Sequence, residues 1–390
     1  MKSVLVAAIV LFLLSIWIVV PAPVLLLLPL AVVVPEFSPI LLILTLVFGG
    51  LTLLTRKSRI KRAALSLAVM TLAICTVPLV RVALATPTFD RALALDEEPH
   101  AHMPLIPVVL GGLVRGIDAG DARVVSGVEF GRPDGHPLTL TIYRPTSPGR
   151  FPILVQIYGG AWQRGTPNDD SLCARYFASR GHVVFAIDYR HAPRWRWPAQ
   201  ILDVRSALAW IRTHAAEYDG DASRIVLLGR SAGAQLALIA AYEGTPADVA
   251  GVVSFYGPTD LAEGWRVPPR PDPFDVRAAL ETYLGGTPDQ IPEPYRAASP
   301  LTYVSAKAPP TLLLYGRRDH IVEARFGRIL NDRLRAAGAT SILLELPWSE
   351  HAFDLVPNGL GGQVSLFYVG RFLDGVLRPY QADRGEGGNR

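Results

Sequence analysis

The sequence predicts an α/β fold, a mostly parallel eight-stranded sheet flanked by helices, preceded by an N-terminal helical transmembrane region. Three observations predict it. Residues 1–55 carry only two charged side chains, Lys2 and Glu36, although 18% of the 390 residues are charged overall. Beyond residue 123, short β-rich runs alternate with stretches of helical period. Gly229-Arg230-Ser231-Ala232-Gly233 joins one such run to one such helix.

The apolar region, 1–86, holds three uncharged runs at 4–20, 40–55 and 63–80, each read as a membrane helix. At 1.5 Å per residue the first makes roughly 25 Å of helix, close to the ~30 Å hydrocarbon core. Pro21 and Pro23 break it, and the third run ends near Arg81. Val24–Val34 is apolar but short, and either extends a span or lies re-entrant. A cleaved signal peptide is disfavoured, because no small-residue cleavage site is evident and two more apolar runs follow. Buried helices of a soluble protein are disfavoured too, since hydrophobicity all round suits lipid better than a half-exposed surface. The basic stretch 56–62 belongs on the cytoplasmic side by the positive-inside rule. One crossing after it leads outward, whatever the path around residues 21–39. The expectation is a multi-pass membrane protein with an extracytoplasmic domain.

The net charge of +4 is concentrated in that region. Lys2, Arg56, Lys57, Arg59, Lys61 and Arg62 face only Glu36 there, which leaves the rest of the chain close to neutral. No basic face remains for nucleic acid, so none is expected as a partner. Two cysteines, Cys75 and Cys173, make no disulfide framework, and no Cys/His spacing suggests zinc.

Residues 87–122, rich in Pro, Gly and Ala, read as a linker or arm ahead of a domain over 123–380, and the polar tail 381–390 reads as disordered. Candidate strands are Val124–Phe130, Leu138–Tyr143, Ile153–Tyr158, Val183–Ile187, Ile225–Leu228, Val252–Tyr256, Thr311–Tyr315 and Ile342–Leu346. Helical periods fall at Ala199–His214, Ala232–Tyr242, Arg325–Ala337 and Val364–Val376. The first three strands lack intervening helices and read as antiparallel; the later ones read as right-handed βαβ crossovers. Residues 257–309 interrupt the rhythm with prolines and one helix near Val276–Leu284, an insertion over one edge of the sheet.

Ser231 sits where a tight strand-to-helix turn would project its hydroxyl from the sheet, flanked by glycines because the two backbones come too close for side chains. A serine hydroxyl needs a base to become a nucleophile. His351 follows the last candidate strand and Asp319 the one before it, both at strand carboxyl ends, where sites of open α/β sheets assemble. The order Ser231, Asp319, His351 is that of the serine hydrolases built on such sheets. Tyr158-Gly159-Gly160-Ala161-Trp162, after the third strand, places small residues where backbone N–H groups can face the site.

Together these residues resemble the α/β-hydrolase superfamily over 123–378. The closest likeness is to its esterase/lipase branch, which includes hormone-sensitive-lipase-like esterases and feruloyl-esterase-like (BD-FAE) domains. The likeness is carried by Tyr158–Trp162, Asp188-Tyr189-Arg190, Ala192-Pro193, Pro198, Asp203, Gly229–Gly233, Ser299-Pro300, Gly316–Asp319 and Glu350–Phe353. The resemblance implies carboxylic-ester hydrolysis through an acyl-enzyme, with no metal or organic cofactor. It makes Ser231, Asp319 and His351 the triad, and Gly160, Ala161 and Ala232 the oxyanion-hole donors. The expected substrate is a small-molecule, lipid or glycan ester. The alternatives are an acyltransferase or a catalytically silent binding protein on the same fold. One position departs from the pattern: Tyr158 stands where the family usually has His, and its hydroxyl can still donate.

Among other residues, His182 and His191 read as structural, and His320 as directed away from the site. Asp188 and Arg190 read as a structural ion pair, and Trp162, Trp195, Trp197 and Trp265 as candidates for lining an acyl pocket.

Overall fold

The structure is a computed structural model that describes residues 2–56, 58–93, 103, 111–244 and 249–377. All eight expected strands form, in one sheet: β1 (Arg123–Gly131), β2 (Leu138–Arg144), β3 (Phe151–Ile157), β4 (Val183–Ile187), β5 (Gly220–Arg230), β6 (Gly251–Phe255), β7 (Thr311–Gly316) and β8 (Ser341–Leu346). Their spatial order is β1-β2-β4-β3-β5-β6-β7-β8. Only β1–β2 and β2–β4 are antiparallel; every pairing from β4 onward is parallel. The expected antiparallel start is therefore corrected in its pairing. β3 does not pair with β2, because β4 inserts between them and pairs β3 in parallel. The helix Ser171–Ala178, which the sequence reading missed, carries the chain from β3 to β4.

The central strands are buried along their whole length, as a sheet covered on both faces requires. Ala199–His214 and Ala232–Glu243 form as expected, and the later helical periods become Ala324–Ala336 and Leu360–Leu377. The insertion holds three short helices, Leu261–Arg266, Val276–Leu284 and Pro292–Ala297. It lies over the helix that follows Ser231: Gln235 Nε2 donates to the Ala298 carbonyl, and Tyr283 stacks on Trp162 with ring centres 4.0 Å apart.

The N-terminal region is helical but divided differently from the three expected runs. α1 (Lys2–Ser15) runs on through a short 3₁₀ turn to Ile18. α2 (Leu28–Glu36), entered through a 3₁₀ turn at Leu25–Leu27, meets α3 (Ser38–Leu53) at a bend of 74°. α4 spans Arg59–Ala92. Among the described residues, by length and composition one helix, α4, is long and apolar enough to cross a membrane, or two if the bent pair counts as one span; the apolar helix at the N-terminus is shorter.

α4 also corrects the expected end of the third run. It passes Arg81 and continues for another eleven residues, because this part leaves its apolar neighbours and packs on the sheet domain. Arg81 Nη1 donates to the Pro347 carbonyl at 2.8 Å, and the Tyr368 hydroxyl donates to Asp90 at 2.8 Å. Val82 and Phe89 join the main core. Residues 87–92, expected as linker, are thus the last turns of α4. Most of the remaining linker and the tail 381–390 lie outside the described residues.

Candidate active site

The turn at Ser231 has the geometry its glycines imply. Ser231 sits at φ +50°, ψ −119°, a conformation side-chain-bearing residues rarely adopt. A Cβ on Gly229 would lie 2.4 Å from the Gly233 carbonyl oxygen, and one on Gly233 would lie 2.3 Å from the carbonyl oxygens of Ile157 and Tyr158. No larger residue fits either position. The strained backbone is held by neighbouring strands, as Ser231 N–H donates to the Phe255 carbonyl at 2.9 Å. The helix Ala232–Glu243 starts at this serine, so its positive end lies beside the hydroxyl.

His351 and Asp319 come to that hydroxyl from the ends of β8 and β7. His351 Nε2 is 3.2 Å from Ser231 Oγ, and His351 Nδ1 is 2.7 Å from Asp319 Oδ2. Asp319 cannot swing, because its other oxygen accepts the N–H groups of Ile321 and Val322 at 2.8 Å each. The Asp319 carboxylate is fully enclosed and the imidazole is 8% exposed, which shields their hydrogen bond from water. The imidazole also rests on the Tyr256 ring at 4.3 Å.

Gly160 (φ +126°) and Ala161 (φ +54°) form the tight turn after β3. A Cβ on Gly160 would meet the Arg164 carbonyl oxygen at 2.1 Å. Gly159 leaves just enough room for the Ser231 turn, since its Cβ would approach Arg230 O to 3.0 Å. Among the described residues, no hydrogen bond engages the N–H groups of Gly160, Ala161 or Ala232. Tyr158 anchors this turn. Its hydroxyl donates to Asp188 at 2.5 Å, lies 2.9 Å from His191 Nε2, and its ring stacks on Tyr189. Burial, the neighbouring Tyr189 and the Asp188 charge push the phenol far above its ordinary range, so it stays a neutral donor. Burial lowers the His191 pKa, consistent with a neutral ring facing that hydroxyl.

Three residues were missed as parts of the site. Glu350 accepts from His320 N–H at 2.6 Å and His351 N–H at 3.1 Å, and it lies 2.7 Å from His320 Nδ1. It therefore clamps the two turns that carry Asp319 and His351. Burial opposes the charge on His320, but its hydrogen bond to Glu350 and that carboxylate's charge outweigh burial and leave its pKa raised. Arg230 is buried directly before the nucleophile position, paired with Asp170 at 3.1 Å and with Asp354. The charged residue inside the Gly229–Gly233 turn was the available signal for that pair. The third is Glu36, in α2. It accepts from the Ser349 hydroxyl at 2.7 Å and from the Gly361 N–H, fully buried and 313 residues away from Ser349 along the chain. A lone carboxyl in an apolar run is the signal that pointed to it.

Other expectations are corrected. Arg190 pairs with Asp203 and Asp134, and Asp188 serves Tyr158 instead. The four tryptophans do not line the main cleft. Trp162 is buried against Tyr283 and donates to Gln235, Trp197 also packs on Tyr283, Trp195 faces His136, and Trp265 donates to Glu281. Flat rings pack as well into a core as into a cleft, so composition could not separate the two. His182 is structural, with Nδ1 3.2 Å from the Phe177 carbonyl.

The cleft above Ser231 and His351 has a volume of about 710 Å³. Its floor is polar, and its sides are largely apolar, including Leu25, Leu28 and Val32 from the N-terminal region. Among the described residues no cluster of His, Cys, Asp and Glu could hold a metal ion.

The BD-FAE family profile matches residues 140–334, half of the chain. The chain belongs to the BD-FAE family. Within that family context, its sequence is 34% identical to the esterase LipQ of Mycobacterium tuberculosis over 69% of this chain and 65% of that protein. It is 36% identical to the probable carboxylic ester hydrolase LipM of the same organism, over 60% of this chain and 56% of that one. The BD-FAE chain thus spans less than two thirds of the length of these relatives. Among solved structures, a thermophilic esterase from Thermogutta terrifontis superposes with a TM-score of 0.54 at 27% identity, covering 68% of this chain and 96% of its own.

Proposed function

We propose that this protein is a membrane-anchored serine hydrolase that cleaves carboxylic esters through Ser231, His351 and Asp319 and an acyl-enzyme. The observation that carries the reading is the pair of distances, 2.7 and 3.2 Å, linking carboxylate, imidazole and hydroxyl at the floor of an apolar cleft. Ser231 Oγ attacks the ester carbonyl while His351 Nε2 takes its proton. Asp319 holds the ring so that Nε2 faces the serine, and stabilises the imidazolium. The tetrahedral oxyanion is met by the N–H groups of Gly160, Ala161 and Ala232. His351 then gives the proton to the leaving alcohol, and the acyl group stays on Ser231. A water, deprotonated by His351, attacks that acyl group, and release of the acid restores the serine. The names of the relatives, an esterase and a probable carboxylic ester hydrolase, support the same reaction class.

The N-terminal region is read as the anchor. α4 has its basic end at Arg59–Arg62 and its domain-packed end at Arg81–Ala92, and its 34 residues span roughly 51 Å. With the basic end cytoplasmic, the domain lies on the other side of the membrane. A reporter fused at the C-terminus is expected to read as extracytoplasmic, and protection of the domain from external protease in intact cells would contradict that.

The reaction is tested by turnover of p-nitrophenyl esters by the full-length chain in detergent. The expected result is turnover in the wild type that disappears in Ser231→Ala. Turnover that persists in Ser231→Ala overturns the mechanism, and no turnover at any acyl length overturns the hydrolase reading.

A further inference from the structure

Leu25, Leu28 and Val32 are spaced i, i+3 and i+7, so one face of the segment 25–36 is presented to the cleft that holds Ser231 and His351. The next residue on that face is Glu36, which is hydrogen-bonded to Ser349 and Gly361 beside the His351 turn. The segment is therefore fixed to the site at its far end rather than draped over it. Along its length Leu28 packs with Ala22 and Ala31, and Ile321 of the Asp319 turn packs on the same cluster. Phe274 from the insertion and Leu355 complete the apolar sides. Where the segment begins, the surface is open and apolar: Val24 is 50% exposed, Leu25 47% and Leu26 86%. In water such a patch is costly, and it lies at the junction of α1 and α2, the domain-facing end of the apolar helices. Polar residues line the cleft at the reacting atoms and at Arg164, Thr166 and Asp169, and the N-terminal wall and its lip are apolar; such a cleft fits an ester carrying an extended apolar chain.

Resting on the serine-hydrolase reading above, we propose that the substrate is an amphiphilic ester drawn from the bilayer, its apolar chain lying along Leu25, Leu28 and Val32. The ester carbonyl sits at Ser231, and the chain runs up the wall to the lip at Val24–Leu26. The cleft volume, about 710 Å³, lies within the roughly 300–1,000 Å³ usual for small-molecule sites and accommodates such a chain. Each methylene placed against the wall is worth roughly four-fold in binding, so chain length is the sensitive readout.

The test uses the full-length protein in detergent, with p-nitrophenyl butyrate and decanoate as probes and active sites counted by a short fluorophosphonate. Wild type is expected to favour decanoate in kcat/KM per active site. The double variant Leu25→Gln/Val32→Gln is expected to lower the decanoate-to-butyrate ratio at least ten-fold. Val32→Trp, which adds bulk rather than polarity, is expected to move the ratio the same way. A ratio unchanged in both variants overturns this inference while leaving the hydrolase reading in place; failure of the wild type on every ester overturns both. A second arm separates bilayer from solution as the source. A phospholipid that cannot exchange between vesicles, bearing a fluorogenic acyl ester, is expected to turn over only when it shares the vesicle with the enzyme. No turnover in shared vesicles overturns delivery from the bilayer.

Discussion

On the floor of the cleft, Ser231, His351 and Asp319 hang from turns at the carboxyl ends of three parallel strands, and hydrogen bonds tie each to its neighbours. Along the wall, Leu25, Leu28 and Val32 come from an apolar segment whose side-chain hydrogen bonds to the sheet domain, among the described residues, run through Glu36. The floor is directional and intolerant of displacement; the wall is non-directional and fitted by shape. The difference teaches that, on the proposed mechanism, the chemistry rests on the sheet domain, whereas the proposed choice of substrate is shared with the N-terminal helices.

Variants that break the floor should therefore be severe and indifferent to substrate. His351→Gln is expected to lower kcat/KM on the order of 10⁴-fold for short and long esters alike. Retention of more than a few per cent of activity would show that the imidazole is not the base. Gly233→Ala is next. Its Cβ would sit 2.3 Å from two carbonyl oxygens, and a clash with backbone is expected to cost about 3–5 kcal/mol, read from chemical denaturation.

Glu36 tests the link between wall and floor. Glu36→Ala strands two buried donors, Ser349 Oγ and Gly361 N–H, and is expected to cost about 2–3 kcal/mol in stability. Faster hydrogen exchange should appear around residues 347–362; exchange unchanged there would mean that the two regions are not coupled. Tyr158→Phe removes the hydroxyl shared with Asp188 and His191, and should cost about 1 kcal/mol with a few-fold loss of turnover.

His320 gives the smallest effect, with a defined sign. Its pKa is raised above 6.5 in the folded protein by Glu350 against the pull of burial. Its contribution to stability is then complete below pH 6.5 and fades as pH rises through the raised value. His320→Gln is expected to flatten that part of the stability–pH curve by about 1 kcal/mol or less. A curve parallel to wild type would show that the pair does not titrate with folding.

The floor was legible in the sequence because each part of it needs a particular residue. Only glycines fit at 229 and 233, and strand ends place Ser231, Asp319 and His351 together regardless of their distance along the chain. The strands were legible for a related reason: the buried parallel ones leave dense apolar, β-branched runs, and β1 and β2 leave short runs rich in β-branched residues. The neighbour order was not, because β4 inserts between β2 and β3 through a connection whose helix, Ser171–Ala178, carries Cys173 and Arg175 and too few apolar repeats to stand out. Nor was the wall legible. Leu25, Leu28 and Val32 look like any lipid-facing residues, and nothing local distinguishes an apolar side chain that meets lipid from one that meets a cleft. Arg190 illustrates the same limit among charges: Asp188, two residues earlier, was its nearest carboxylate in sequence, yet Asp203 offers a bidentate geometry and takes the guanidinium.

The central claim is that the hydroxyl at 231 becomes covalently acylated. Its most direct test is mass spectrometry of the full-length protein after reaction with a fluorophosphonate, followed by peptide mapping. The account predicts one stoichiometric adduct on Ser231 that is absent in Ser231→Ala and strongly slowed in His351→Gln. An adduct on another residue, or ester turnover with Ser231 left unmodified and uninhibited, would contradict it.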